Sequence, residues 1–122
     1  MIKTGISLKV KIGPETQLGP GKAALLEAIR DTGSISAAGR ALGMSYKTAW
    51  LLLETLNVQF VEPMVTTSKG GSAKGGAELT KTGHAVLDSY RRMEAAAKAA
   101  VGSEMRKLSR LMKPIDAVSV AG

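Results

Sequence analysis

The chain lacks cysteine and has few aromatic residues. Its 122 residues include one tryptophan, two tyrosines, one phenylalanine and one histidine. Without cysteine there is no disulfide framework, no thiolate metal ligand and no thiol nucleophile. A core with so few aromatic side chains must be built from aliphatic residues and alanine. Because the one histidine, His84, has no cysteine to pair with, we expect neither a metal site nor a catalytic site.

Long apolar runs are also missing from the sequence. The N-terminus has no apolar stretch typical of a signal peptide, and no segment approaches the roughly 20 apolar residues of a membrane span. We therefore expect a cytoplasmic protein without a membrane partner. The length suits one domain with a helical extension.

Acidic residues are the minority among the charged side chains. The 17 basic and 10 acidic residues give a formal net charge of +7, and the positive excess lies in the C-terminal half. A basic balance favours polyanionic partners such as nucleic acid.

Residues 34–60 contain two short helical patterns joined by Gly43. Ser34 and Ser45 each stand where a side-chain oxygen can cap a helix, and a glycine between them allows the chain to reverse. This spacing is typical of a helix-turn-helix, which lays its second helix in the major groove of DNA, but also of an ordinary helical hairpin. The predicted helices span residues 35–43 and 45–60.

A strand and a helix are predicted before this pair. Residues 6–12, ISLKVKI, alternate apolar and polar side chains, which predicts a half-buried strand. A turn rich in glycine and proline follows. Residues 22–31 then carry Leu25, Leu26 and Ile29 on one face of a helix that ends at Gly33.

Two short strand patterns follow the pair. Pro63 breaks the second helix, and residues 64–68 and 77–80 surround the glycine-rich segment KGGSAKGG. We interpret them as a β-hairpin that forms a wing. The alternative is a flexible loop with two solvated lysines.

A long helix begins at Thr80 and carries a narrow apolar seam. Its apolar residues recur at steps of 4, 3 and 4, which predicts pairing with an identical helix; the alternative is packing on its own domain. Gly102 is expected to interrupt the helix before a short segment that Pro114 stops. The predicted dimerisation residues are Val86, Tyr90, Met93 and Ala97.

These elements predict an α+β fold, mostly α: a winged helix-turn-helix with a long C-terminal dimerisation helix. The expected boundaries are residues 1–80 for the winged domain, 81–113 for the helical dimerisation extension and 114–122 for a frayed tail.

The order of these elements resembles the DNA-binding domain of the ModE-type molybdenum-responsive regulators, which share a winged helix-turn-helix with the LysR-type regulators. The resemblance runs from about Ile6 to Glu94. It is carried by ALLEAIRDTGSISAAGRALGMSYKTAW, EPMV, KGGSAKGGAELTKTG and LDSYRRME. It implies sequence-specific binding of double-stranded DNA.

Family members that sense molybdate carry a C-terminal oxyanion-binding region after this domain. Residues 102–122 do not resemble that region. We therefore expect no cofactor and no molybdate sensing by this chain.

In this fold the N-terminal end of the second helix meets the base edges. There Lys47 can donate to guanine or to a phosphate, and Thr48 can hydrogen-bond a base or touch a thymine methyl. Lys47 can equally be a solvated lysine, and Trp50 either a core residue or a backbone contact. The predicted base-facing residues are Ser45, Tyr46, Lys47 and Thr48.

The first helix and the wing are expected to hold the DNA backbone. Ser34 and Ser36 suit a phosphate oxygen, while Lys69 and Lys74 can straddle a minor groove or its phosphates. Arg40 is interpreted as a surface ion pair.

The function predicted from these features is a homodimeric, sequence-specific transcriptional regulator that binds an inverted-repeat operator. An enzyme is not expected, because Asp88 and Glu94 face differently and the wing glycines do not match a phosphate-binding loop. The alternatives are a winged-helix protein-interaction module and a nonspecific architectural DNA binder.

Overall fold

The computed structural model describes residues 5–13, 16–68 and 76–114. Two antiparallel hairpins and four helices follow one another along this part of the chain. Their bounds are β1 Val10–Ile12, β2 Thr16–Leu18, α1 Pro20–Thr32, α2 Ile35–Ala41, α3 Tyr46–Gln59, β3 Val65–Ser68, β4 Gly76–Leu79 and α4 Lys81–Leu111.

The N-terminal strand is shorter and more exposed than predicted. It pairs with β2, which lies in the segment expected to be a turn, so that Val10 faces Leu18. Leu8 and Val10 pack against the core, whereas Ile6 and Ile12 are 39% and 69% exposed. The alternating pattern indicated the strand correctly. Because the hairpin lies at the edge of the domain, only the apolar side chains in the middle of residues 6–12 pack against the core.

Helix α1 forms the centre of the core. Leu25, Leu26 and Ile29 are fully buried, and they pack with Leu53 and Leu56 of α3. Gly33 ends the helix in the left-handed conformation, with φ 73°, and its N–H bonds to the carbonyl of Ile29. The predicted inward face of this helix is confirmed.

Helices α2 and α3 cross closely, as a helix-turn-helix requires. Gly43 in the turn has φ 71°, a conformation that glycine adopts readily. A Cβ atom on Gly39 would lie 3.2 Å from the carbonyl oxygen of Met44 and 3.6 Å from Cβ of Ala49. The small residues of α2 therefore allow the crossing.

Strands β3 and β4 form the predicted hairpin. They pair antiparallel from Val65 opposite Leu79 to Ser68 opposite Gly76. The N–H of Ala77 donates to the carbonyl of Gly33 at 2.9 Å, which fastens the hairpin to the end of α1. The wing tip with Lys69 and Lys74 lies outside the described residues.

Helix α4 is one continuous helix, so the predicted interruption at Gly102 is wrong. The hydroxyl of Thr80 accepts from the N–H of Gly83 at 2.9 Å and donates to the carbonyl of Pro63 at 2.6 Å. One glycine costs a helix only about 1 kcal/mol relative to alanine, and helix-forming residues surround this one.

Tyr90 does not belong to an exposed dimerisation seam, and that prediction is corrected. The residue is fully buried in the core, and its hydroxyl donates to the carbonyl of Leu8 at 2.7 Å. Gly83 and Leu87 are the other buried residues of α4. The first ten residues of the helix therefore pack on their own domain, as the alternative held.

Candidate nucleic-acid interface

The first turn of α3 is exposed and firmly capped. The hydroxyl oxygen of Ser45 accepts from the N–H of Thr48 at 3.1 Å and also donates to the Thr48 hydroxyl at 3.0 Å. Ala49 is the first buried residue of the helix, so the residues before it project from the domain. The four predicted base-facing residues therefore form one exposed surface, Ser45, Tyr46, Lys47 and Thr48.

Lys47 stands on this surface without a partner in the described part of the chain. Its side chain is exposed, and no ion pair or hydrogen bond engages its ammonium group there. The first turn of α3 also contains no acidic residue. An unpaired cation beside the positive end of a helix dipole favours an anionic or acceptor-rich partner.

Tyr46 and Trp50 form an aromatic pair along α3. Tyr46 is 55% exposed, whereas Trp50 is half-buried and packs against the core. Their ring centroids lie 6.4 Å apart with the planes at 78°, and the Trp50 indole N–H donates to the Tyr46 hydroxyl. Of the two roles that the sequence left open for Trp50, this placement agrees with packing against the core.

Helix α2 presents a second group of hydroxyls, on the half-buried residues Ser34 and Ser36. The Ser34 hydroxyl oxygen accepts from the N–H of Ala37 at 3.0 Å and caps the helix. The guanidinium of Arg40 donates to the Ser36 hydroxyl at 2.9 Å. Arg40 has no carboxylate partner in the described part of the chain, so the expected surface ion pair is not found there.

Sequence reasoning therefore missed Arg40 as a member of this face. Arg40 and Ser36 are four residues apart on one helix, which places their side chains together. That spacing was a usable signal. The guanidinium adds a second positive charge beside the predicted phosphate contacts.

The four predicted dimerisation residues differ in burial and in their neighbours. Val86 and Met93 line an apolar groove of about 270 Å³ beside β1, β2 and Phe60. Met93 is 38% exposed, and Ala97 is half-buried. With Tyr90 in the core, the four residues do not make one continuous exposed seam.

Other site types find little support in the described residues. No group of three histidine or acidic side chains in residues 5–13, 16–68 and 76–114 is placed to hold a metal ion. His84 is exposed in the first turn of α4. No helix in these same ranges is long and apolar enough to cross a membrane.

Comparison with curated proteins confirms the resemblance to the ModE-type regulators. The chain is 41% identical to the molybdenum-pterin-binding protein MopB of Rhodobacter capsulatus over 93 residues, 76% of this chain and 34% of that protein. It is 38% identical to the molybdenum transport protein ModE of Azotobacter vinelandii over 73% of this chain and 32% of that protein. The transcriptional regulator ModE of Yersinia pestis is 36% identical over 70% of this chain and 32% of its own length.

The chain thus spans about a third of the length of these relatives. None of them is named as an enzyme, in agreement with the prediction for this chain. No protein-family model matches the sequence.

Comparison with solved structures confirms the fold. The crystal structure of the CbnR DNA-binding domain in complex with DNA matches with a TM-score of 0.56 and 24% identity, covering 73% of this chain and 95% of that one. This likeness shows a winged helix-turn-helix, mostly helical with a small antiparallel sheet and a long C-terminal helix, as predicted.

Proposed function

We propose that this chain binds double-stranded DNA sequence-specifically and regulates transcription as a homodimer. The observation that carries the proposal is the exposed, capped first turn of α3, where Lys47 is unpaired and Tyr46 and Thr48 project beside it. The similarity to regulators named ModE supports the regulatory role.

The first turn of α3 is proposed to enter the major groove. Lys47 donates to guanine O6 or N7, and Thr48 contacts a base edge or a thymine methyl. Ser34, Ser36 and Arg40 at α2 bind phosphate oxygens and fix the position of α3 on the duplex. Lys69 and Lys74 are proposed to reach the adjacent minor groove or its phosphates from the wing.

The homodimer is proposed from the exposed part of α4. The buried residues Gly83, Leu87 and Tyr90 mark one face of the helix, and Val101, Met105 and Leu108 continue the same face beyond the domain. No residue of α4 after Tyr90 is buried, and Leu108 is 60% exposed. A second copy of α4 covers this face in the proposed dimer. The part of α4 after Tyr90 is then the dimerisation extension.

Two copies related by a twofold axis read an inverted repeat. Each α3 then meets one half-site, and the half-site centres lie about 34–36 Å apart or a multiple of that. One winged domain buries too little surface for tight specific binding, so the second domain supplies the remaining affinity.

Titration of the purified protein with DNA tests the proposal. Genomic fragments enriched by the protein are compared with random duplexes of equal length by fluorescence anisotropy over a range of salt concentrations. We expect tighter binding to the enriched fragment and a log K that falls linearly with log salt, by about 0.9 per phosphate neutralised.

Each alternative predicts a different result in the same titration. Equal affinity for the enriched and random duplexes indicates a nonspecific architectural protein. Absence of binding to both duplexes at low salt contradicts DNA binding and favours a protein-interaction module.

A further inference from the structure

The chain's single tryptophan connects the hydrophobic core to the proposed DNA face. Trp50 packs against the core, and its indole N–H donates a hydrogen bond to the phenolic oxygen of Tyr46, one turn earlier in α3. The two rings meet edge to face, with their centroids 6.4 Å apart. Because the core fixes Trp50, the hydrogen bond also fixes where the exposed Tyr46 hydroxyl lies.

The chemistry of the two groups sets the direction of this hydrogen bond. An indole nitrogen only donates, so Tyr46 must be the acceptor. A phenol that accepts through one lone pair keeps its own proton for another partner, and accepting strengthens that O–H as a donor. No residue in the described ranges accepts the Tyr46 proton. With Tyr46 55% exposed, the proton is directed to a partner outside the chain.

We propose that Trp50 is a positioning residue that makes Tyr46 a hydrogen-bond donor to an acceptor atom of DNA, either a phosphate oxygen or the N7, O6 or O4 of a base. The inference rests on the proposed DNA binding and assigns a role within that face. Tyr46 is the first residue of α3, where the free backbone N–H groups and the helix dipole attract the same acceptors.

A second pair on the same face follows the same rule. The guanidinium of Arg40, which only donates, occupies a lone pair of the Ser36 hydroxyl and leaves the serine proton free. In both helices of the pair, a donor-only side chain thus occupies a hydroxyl oxygen and leaves the hydroxyl proton available for another acceptor. A face of this kind complements phosphate oxygens and the acceptor edge of guanine.

An isosteric replacement of the tryptophan isolates its N–H group. 3-Benzothienylalanine has nearly the shape of tryptophan but carries sulfur in place of the N–H. Because the sequence contains one tryptophan, its incorporation in a tryptophan-requiring host changes position 50 alone. The benzothienyl protein, Tyr46→Phe and their combination are titrated with the enriched duplex and with a random duplex of equal length.

We expect each single change to weaken binding about five-fold, the effect of one lost hydrogen bond. The combination should bind no more weakly than Tyr46→Phe alone, because Trp50 acts through the Tyr46 hydroxyl. Tyr90→Phe is the matched control: it removes the hydroxyl of the other tyrosine, which is buried in the core, and should leave DNA affinity unchanged.

Wild-type affinity in the benzothienyl protein overturns the inference, and so does a loss in the combination that equals the product of the single losses. A loss that is equal on both duplexes supports a phosphate acceptor, and a larger loss on the enriched duplex supports a base acceptor. If the wild-type protein binds neither duplex at low salt, the proposed function itself fails, which separates the two failures.

Discussion

Lys47 provides the sharpest test of how single residues read DNA. It is the one basic side chain between Gly43 and Pro63, and it lies exposed in the first turn of α3. If it donates to guanine, Lys47→Ala should reduce the preference for the enriched duplex over random DNA by about 1–3 kcal/mol. Parallel titrations of the two duplexes at one salt concentration measure this preference.

The control for Lys47→Ala is Lys98→Ala, which removes an equal charge from the exposed part of α4. It should leave the preference for the enriched duplex intact. Equal losses on both duplexes for Lys47→Ala assign the lysine to phosphate contact instead, with a salt slope reduced by about 1.

Tyr90 contributes to stability from inside the domain. Its buried hydroxyl donates to the carbonyl of Leu8, which ties α4 to the segment just before β1. Tyr90→Phe removes this bond and leaves the carbonyl unpaired, so the free energy of unfolding in urea at pH 7 should fall by about 1–2 kcal/mol. An unchanged free energy of unfolding would contradict the assigned bond.

The same side chain makes stability depend on pH. Burial, assisted by the charge of Glu94, raises the pKa of Tyr90 above its ordinary value of 10.0. The folded state therefore holds the phenolic proton more tightly than the unfolded state does. The contribution is complete below about pH 10 and is lost as the pH rises through the raised pKa. The difference in unfolding free energy between wild type and Tyr90→Phe should shrink above pH 10; a constant difference would exclude this linkage.

At the scale of elements, the sequence correctly predicted those helices and strands whose bounds are set by neighbouring residues. The helix pair was predicted correctly because Ser34, Ser45 and Gly43 act on backbone groups within one turn of themselves. The wing hairpin was predicted because two short strand patterns flank a run of glycines. These sequence signals are local, so they can be read without knowledge of the fold.

Other elements depend on distant contacts that the sequence does not display. Strand β2 exists because Thr16–Leu18 finds a partner in β1, although its glycine- and proline-rich surroundings indicated a turn. Tyr90 matched an apolar seam by spacing, but its hydroxyl reaches Leu8, 82 residues earlier. Periodicity shows which side chains share a face and not what covers that face.

The candidate site shows the same contrast between features set by local sequence and features set by side-chain contacts. The sequence predicted the exposed first turn of α3, whereas the pairings of Trp50 with Tyr46 and of Arg40 with Ser36 required side-chain positions. Both pairs are four residues apart on a helix, so spacing permits them, but other partners were equally permitted.

For two glycines of α4, Gly83 and Gly102, substitution by alanine is predicted to change stability in opposite directions. A Cβ atom on Gly83 would lie 2.1 Å from the carbonyl oxygen of Met64, while one on Gly102 would meet only the flexible end of Arg106 at 3.5 Å. Gly83→Ala would push the backbone of α4 away from that of Met64, and it should lower the free energy of unfolding by at least about 2 kcal/mol. Gly102→Ala should add about 0.5–1 kcal/mol, because alanine is the better helix former.

Thermal or urea unfolding followed by circular dichroism compares the two variants directly. Gly102→Ala serves as the control for the intrinsic effect of alanine in this helix. A stabilising Gly83→Ala would contradict the close approach of Gly83 in α4 to the carbonyl of Met64.

At the scale of the whole molecule, α4 combines two roles along one face. Its first ten residues complete the core of the domain, and the helix continues about 30 Å beyond Tyr90 at 1.5 Å per residue. Arg91 still pairs with Glu27 of α1 at the start of this continuation. Arg92, Arg106 and Arg110 lie on the side opposite the apolar face, in contact with solvent. A helix with few tertiary contacts is marginally stable in water, so a partner that covers the apolar face stabilises the C-terminal part of α4 as well.

Leu108→Glu tests whether that partner is a second copy. Each dimer would lose two buried leucines and gain two buried carboxylates, so the free energy of association should fall by at least about 3 kcal/mol. Ser103→Glu adds the same charge on the opposite side of α4 and should leave association unchanged. Sedimentation velocity at micromolar concentration measures both. A wild-type monomer, or equal effects of the two substitutions, would contradict pairing through this face. A monomeric Leu108→Glu protein should still bind one half-site but lose the added affinity of the inverted repeat, because the two α3 helices are then no longer held at a fixed spacing.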